Sequence, residues 1–186
     1  DLREERRLQK LEPAYSFMIR TRLPGGVATP AQWLALDALA TRYGNDTLRL
    51  TTRQAFQIHG ILKHDLKPTI AAINQTLIDT IAACGDVNRN TLCSVVDDLI
   101  PELPLRSREL AYAVAMELAP RSSAYYQIFL TDEAGKTETP ITSDEPIYGR
   151  QYLPRKFKVA FAHPYDNSVD ALTNDVAFLP VVNGGA

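Results

Sequence analysis

Leu50-Thr51-Thr52-Arg53-Gln54-Ala55-Phe56-Gln57-Ile58-His59-Gly60 is the stretch on which the reading of this chain turns. Together with the residues just before it, it alternates from Thr47 to Gly60. In an extended strand without a bulge, Leu48, Leu50, Thr52, Phe56 and Ile58 share one face. Arg49, Thr51, Arg53, Ala55, Gln57 and His59 share the other. A face carrying Arg49, Arg53, Gln57 and His59 is merely polar if water covers it. Partly buried, it needs an anionic or strongly hydrogen-bonding partner, because a cation taken out of water is costly unless paired.

Working outward, Tyr15 to Arg22 alternates too, with Arg20 and Arg22 on one face of a predicted strand. Leu23-Pro24-Gly25-Gly26 reads as a turn. A helix then follows. Thr29 suits its N-cap, Pro30 its first turn and Gly44 the position past its end, with Trp33, Leu36, Leu39, Ala40 and Tyr43 as the buried stripe. Asp65 to about Ala82 is mainly helical, with a break near Thr76. Residues 15–82 therefore read strand–helix–strand–helix.

Downstream, Gly85-Asp86-Val87-Asn88-Arg89-Asn90 is a polar loop and 91–106 is irregular. A helix is expected at about 105–118, with Leu110, Val114 and Leu118 on one side. Ala124–Thr131 and Arg155–Ala162 read as strands, and Thr131–Glu145 as a mobile loop. Val176–Val182 reads as an edge strand because of Pro180. The expected class is α+β. Its parts are an N-terminal arm at 1–14, a first unit at 15–82 and a second at 83–186.

Composition narrows the function. The 186 residues are 45% hydrophobic and 23% charged, with a formal net charge of −2, which is ordinary for a globular protein and poor for a nucleic-acid binder. No apolar run is long enough to span a bilayer. The start, Asp1-Leu2-Arg3-Glu4-Glu5-Arg6-Arg7, has no apolar core for a signal peptide and no initiator Met, so a processed or cut chain is expected. Cys84 and Cys93 are too few for a disulfide scaffold or to ligate an iron–sulfur cluster unaided, so no metal site is expected within these residues. Phosphate-loop, dinucleotide, zinc and nucleophile-elbow motifs are missing.

Cations placed by strand period carry the remaining signal. In Leu153-Pro154-Arg155-Lys156-Phe157-Lys158-Val159, Lys156 and Lys158 share a face. Two neighbouring ammoniums repel, which a fold tolerates under solvent or under an anion. Lysines that blunt a sheet edge would look the same. Arg89 in its loop, Arg20 and Arg22 on their strand, and His59 are each individually unremarkable surface or core groups.

Together, four segments resemble the sulfite and nitrite reductase family. They are Arg20-Thr21-Arg22-Leu23-Pro24-Gly25-Gly26, the Leu50–Gly60 stretch, Asp86-Val87-Asn88-Arg89-Asn90 and Tyr152-Leu153-Pro154-Arg155-Lys156-Phe157-Lys158. They occur in the family's order and cover nearly the whole chain from about Met18. The resemblance implies half of a ferredoxin-like two-fold module followed by the start of a sirohaem-binding α+β domain. It implies sirohaem bridged to a [4Fe–4S] cluster whose cysteines lie outside these residues. It also implies six-electron reduction of sulfite to sulfide in sulfur assimilation, or of nitrite to ammonia.

The matching sulfite-binding positions are Arg20, Arg89, Lys156 and Lys158. Arg22, Arg49, Arg53, Gln57, His59, Asn88 and Asn90 match the side that holds the sirohaem carboxylates. Cations offset the charge of the oxyanion, and lysines can supply the protons its reduction consumes. Lys158 favours sulfite, since nitrite reductases resemble this chain less there, usually having Asn. A ferredoxin or an NADPH-dependent flavoprotein would donate electrons, in a bacterial cytoplasm or a plastid stroma. Residues 1–186 alone are expected to be inactive. Ferredoxin-dependent nitrite reductase and a non-catalytic tetrapyrrole- or anion-binding relative stay open as alternatives.

Overall fold

The computed structural model describes residues 2–11, 13, 15–96, 99, 106–121 and 145–181. The chain is α+β. Helix α1 (Leu2–Leu8) precedes strand β1 (Ser16–Arg20), helix α2 (Pro30–Tyr43), strands β2 (Leu48–Leu50) and β3 (Phe56–Leu62), and helix α3 (Leu66–Gln75). Strand β4 (Leu92–Cys93), helix α4 (Ser107–Glu117) and strands β5 (Val159–Phe161) and β6 (Val176–Phe178) follow. The expected strand at Ala124–Thr131 and most of the loop at Thr131–Glu145 lie outside the described residues.

The first sheet is antiparallel, in the order β1-β3-β2. Its inner face, with Ile19, Phe56, Ile58 and Ile61, packs on Leu36, Leu39 and Ala40 of α2 and Ile73 of α3. Each fully buried aliphatic or aromatic side chain contributes about 1.5–3 kcal/mol. The Trp33 ring meets Phe56 edge-on at 4.9 Å although Trp33 is itself largely exposed. The α2 start is as expected. Thr29 accepts the Gln32 amide, and the Gln32 side chain accepts the Thr29 amide, a reciprocal cap.

Three readings need correction. First, Thr47–Gly60 is a hairpin and not one long strand. Thr51 Oγ1 accepts the amides of Arg53 and Ala55, while the Thr51 amide donates to the Ala55 carbonyl, so the hydroxyl closes a turn where period two continues. Gln54 sits there at φ 50°. Second, β1 stops at Arg20. Thr21, Arg22 and Leu23 are all buried in succession, so alternation ends there. Third, the inward face of α4 is Ser107, Ala111 and Ala115, while Leu110 is 52% exposed. Small side chains let α4 lie close against the Pro24–Gly26 turn and β4.

The second sheet is parallel, in the order β4-β5-β6. Strand β5 is central, so Val159, Ala160 and Phe161 are all buried, as parallel strands covered on both faces require. Among the described residues, strand β6 pairs with β5 alone, at the edge. The predicted strand at Arg155–Ala162 shortens to Val159–Phe161, but Phe157 still bridges Asn88 in the same parallel sense. No helix among the described residues is long and apolar enough to cross a membrane.

Candidate functional site

The hairpin keeps the polar face together by pairing instead of by period. Arg20 on β1 and Arg49 on β2 both stand opposite Gln57 on β3. In the orientation that satisfies both neighbours, the Gln57 amide oxygen accepts Arg20 Nε and Nη2 at 2.8 Å each, and its nitrogen donates to His59 Nε2 at 3.0 Å. His59 is held below its ordinary pKa by burial and by the charges of Arg49 and Arg20, which favours the neutral, accepting ring.

Arg20 reaches across the cleft. Its Nη1 donates to the Ala83 carbonyl at 3.3 Å and to Cys84 Sγ at 3.0 Å. Arg89 donates to the same carbonyl from Nε and Nη2, at 3.0 and 2.6 Å. One carbonyl thus anchors both guanidiniums, which explains how like charges are held together. Arg89 comes beside the lysine segment because Val87–Arg89 runs next to Phe157. The Phe157 amide donates to the Val87 carbonyl, and the Arg89 amide to the Phe157 carbonyl.

Arg53 is partly buried, and its pKa is lowered to about 10 by burial and by Arg89, with Asp175 opposing. Its Nε and Nη2 donate to the Asn90 carbonyl, Nη2 also to the Val159 carbonyl, and Nη1 to Asn174 Oδ1. This guanidinium is largely occupied with joining the two sheets. The Lys158 ammonium donates to the Thr173 carbonyl. The Lys156 ammonium has no hydrogen-bond partner among the described residues.

These walls enclose an open cavity of about 600 Å³. Arg20, Arg53, Gln57, Arg89, Asn90, Lys156 and Lys158 all line it, and Asp170 is the one acid among the described residues that do so. Arg49 and His59 continue the same row beyond the cavity wall. Arg22 and Asn88 lie elsewhere. The Arg22 guanidinium turns inward and donates to the Ala115 carbonyl on α4, and the residue is 5% exposed. Its backbone bridges Asp79, whose carboxyl burial pushes up, against the pull of Arg22 and of the Ile81 amide. Asn88 is buried, and neither of its side-chain polar atoms has a partner among the described residues.

Ala83, Thr173, Asn174 and Asp175 shape the site and were not singled out in the sequence. Their contributions run through backbone carbonyls or through a turn before an edge strand. No residue type or period marks them.

The same segments match two family models. Residues 9–76 match the nitrite/sulfite reductase ferredoxin-like half domain, and residues 84–186 match the nitrite and sulphite reductase 4Fe-4S domain. The chain belongs to the nitrite and sulphite reductase family. Within it, the chain is 55% identical over 188 residues to the sulfite reductase [NADPH] hemoprotein beta-component of Myxococcus xanthus, covering 100% of this chain and 32% of that protein. The like-named proteins of Xanthomonas oryzae pv. oryzae and Anoxybacillus flavithermus are 55% and 54% identical over 185 residues, with the same coverage. The chain thus spans about a third of the length of the curated relatives it matches. Among solved structures, it resembles the NirA protein of Mycobacterium tuberculosis with a TM-score of 0.61 at 24% identity, over 94% of this chain and 27% of that one, a likeness of fold.

Proposed function

We propose that this chain forms the oxyanion-binding wall of a sulfite reductase that carries out the six-electron reduction of sulfite to sulfide in sulfur assimilation. The observation that carries this reading is the convergence of Arg20, Arg53, Arg89, Lys156 and Lys158 on one cavity, with Asp170 as the lone acid among the described residues that line it. That excess of positive charge, with Arg53 destabilised by burial and by Arg89, suits an anionic occupant. The donor set therefore fits both sulfite and the carboxylate-bearing tetrapyrrole that the family implies. Sirohaem coupled to a [4Fe–4S] cluster supplies the electrons when bound, and the cluster's cysteines are expected outside residues 1–186.

The chain's own residues bind, orient and deliver protons. Arg20, Arg89, Lys156 and Lys158 offset the charge of sulfite and grow more important as its oxygens gain negative charge. Ammoniums can give up protons to departing oxygens, and Lys156, with no partner among the described residues, is the better placed. Arg49, Gln57 and His59 form the row that faces the tetrapyrrole carboxylates. Arg53 and Asn90 stiffen that side, Arg53 keeping only part of its fork for a carboxylate. Arg22 and Asn88 support the wall from behind.

The relatives' shared name, sulfite reductase [NADPH] hemoprotein beta-component, favours an NADPH-linked flavoprotein partner over ferredoxin. Lys158 favours sulfite over nitrite. The test is the visible spectrum of the longest natural form of the polypeptide, reduced, before and after sulfite. Tetrapyrrole bands that move with sulfite support the reading, and a colourless protein from cells that make sirohaem refutes it. Lys158→Asn should shift preference from sulfite towards nitrite in steady-state turnover.

A further inference from the structure

We propose that Asn174 and Asp175 are positioning residues that fix a cation on each of the two cavity walls, Arg53 on one and Lys158 on the other. This rests on the reading of the cavity as an oxyanion site.

The orientation of Asn174 is forced. Its Nδ2 donates to the carbonyls of Val169 and Asp170 at 3.2 and 3.0 Å, which uses both amide hydrogens inside its own loop. Oδ1 is left as an acceptor, and it takes Arg53 Nη1 at 3.0 Å. Arg53 and Asn174 are 121 residues apart in sequence, so this bond ties the hairpin turn of the first sheet to the turn before β6.

Asp175 grips the lysine strand. Its Oδ2 accepts the Lys158 amide at 2.7 Å, its Oδ1 accepts Arg155 Nη1 at 3.0 Å, and its own amide donates to the Lys158 carbonyl at 3.0 Å. The Lys158 ammonium meanwhile donates to the carbonyl of Thr173, two residues earlier in the same turn. Thr173-Asn174-Asp175 therefore brackets both walls. Charge agrees with the geometry. Burial pushes the Asp175 carboxyl up, but the Lys158 amide, the charges of Arg155 and Lys158 and the Arg155 hydrogen bond outweigh it and hold it ionised. The Asp175 charge also opposes the destabilisation of Arg53.

Positioning and plain charge make opposite predictions. Asp175 is an anion beside an anion site. If its charge alone mattered, removing it would tighten sulfite binding. If it positions the lysine strand, Asp175→Ala should weaken sulfite, while Asp175→Asn, which keeps an acceptor for the Lys158 amide, should bind as the parent does or more tightly. Asn174→Ser changes no charge and is too short to reach Arg53.

The experiment is calorimetry of inorganic sulfite with the longest natural form of the polypeptide and these three variants, with melting temperatures alongside. Asp175→Ala and Asn174→Ser should each weaken sulfite about tenfold, the scale of losing one hydrogen bond to a charged group. Unchanged or tighter binding by Asp175→Ala, or parental affinity in Asn174→Ser, would overturn the proposal. A crystal structure of Asn174→Ser decides independently of the ligand, and also covers a failure of Asp175→Ala to fold. A displaced Arg53 guanidinium supports positioning, and an unmoved one overturns it. If the parent protein takes up no sulfite while Arg53 moves in the variant, the oxyanion reading fails and the positioning role stands.

Discussion

At the scale of single residues, His59 and Arg22 show how the surroundings of a side chain set its role. His59 accepts from Gln57, which in turn accepts from Arg20, so the neutral ring supports the arginine's orientation. Its folded pKa lies below the ordinary 6.5, because of burial, Arg49 and Arg20. Below that pH the unfolded chain binds the proton more readily than the folded one. The stability His59 contributes is therefore present above pH 6.5 and is lost as pH falls through and beneath that value. Melting curves between pH 5 and 7.5 should show a smaller acid loss in His59→Gln than in the parent, and equal losses would refute the assignment. Arg22 is buried against α4, so Arg22→Met should lower stability by about 2–4 kcal/mol, as truncating one side of a buried charged contact does. Denaturant titration measures this, and sulfite affinity measured on the folded variant should change little.

At the scale of elements, the fold depends on a few close approaches. Gly60 has φ +83° at the irregularity where β3 shifts register against β1. A Cβ there would stand 2.8 Å from Asn45 Cβ. Gly60→Ala should thus lose about 1–3 kcal/mol from backbone strain and crowding, read as a lower melting temperature. Helix α4 makes a second such approach through Ala111 and Ala115, both fully buried. Ala115→Leu should cost about 1–3 kcal/mol by overpacking, whereas Leu110→Ala on the exposed side should cost less than about 1 kcal/mol. The sequence periodicity put Leu110, Val114 and Leu118 on one side of this helix. A helix that meets a glycine turn buries its small residues, and hydrophobicity alone does not rank alanine above leucine for that place.

At the scale of the whole molecule, the cavity exists only because two sheets meet. Its cations come from β1, the hairpin turn, the loop after Cys84 and the segment before β5. The net charge of −2 gives no hint of this local excess. Sulfite affinity should therefore fall as ionic strength rises from about 0.05 to 0.5 M, because screening shortens from roughly 14 Å to about 4 Å. Salt-independent calorimetric binding would contradict an electrostatic site. Apolar side chains such as Leu50, Leu62 and Phe178 are exposed on these residues. With the relatives about three times longer, residues 1–186 expressed alone should bind a hydrophobic dye and show no sulfite turnover.

The sequence by itself determined the α+β class, the capped helix α2, the edge position of β6 among the described strands and the family. These rest on short-range signals: a Thr-x-x-Gln cap, a proline near a strand end and four local motifs in order. It also named the cations of the cavity, because period two put Lys156 and Lys158 on one side and motif matching selected Arg20 and Arg89. Tertiary structure alone decided that Thr47–Gly60 bends into a hairpin, since the Thr51 hydroxyl competes with the strand ladder. It alone turned Arg22 into the interior, and it alone brought Asn174 to Arg53. Side-chain periodicity reports which way a residue points within its own element. Which backbone carbonyl or distant turn it meets depends on how the elements pack, and only the folded chain shows that.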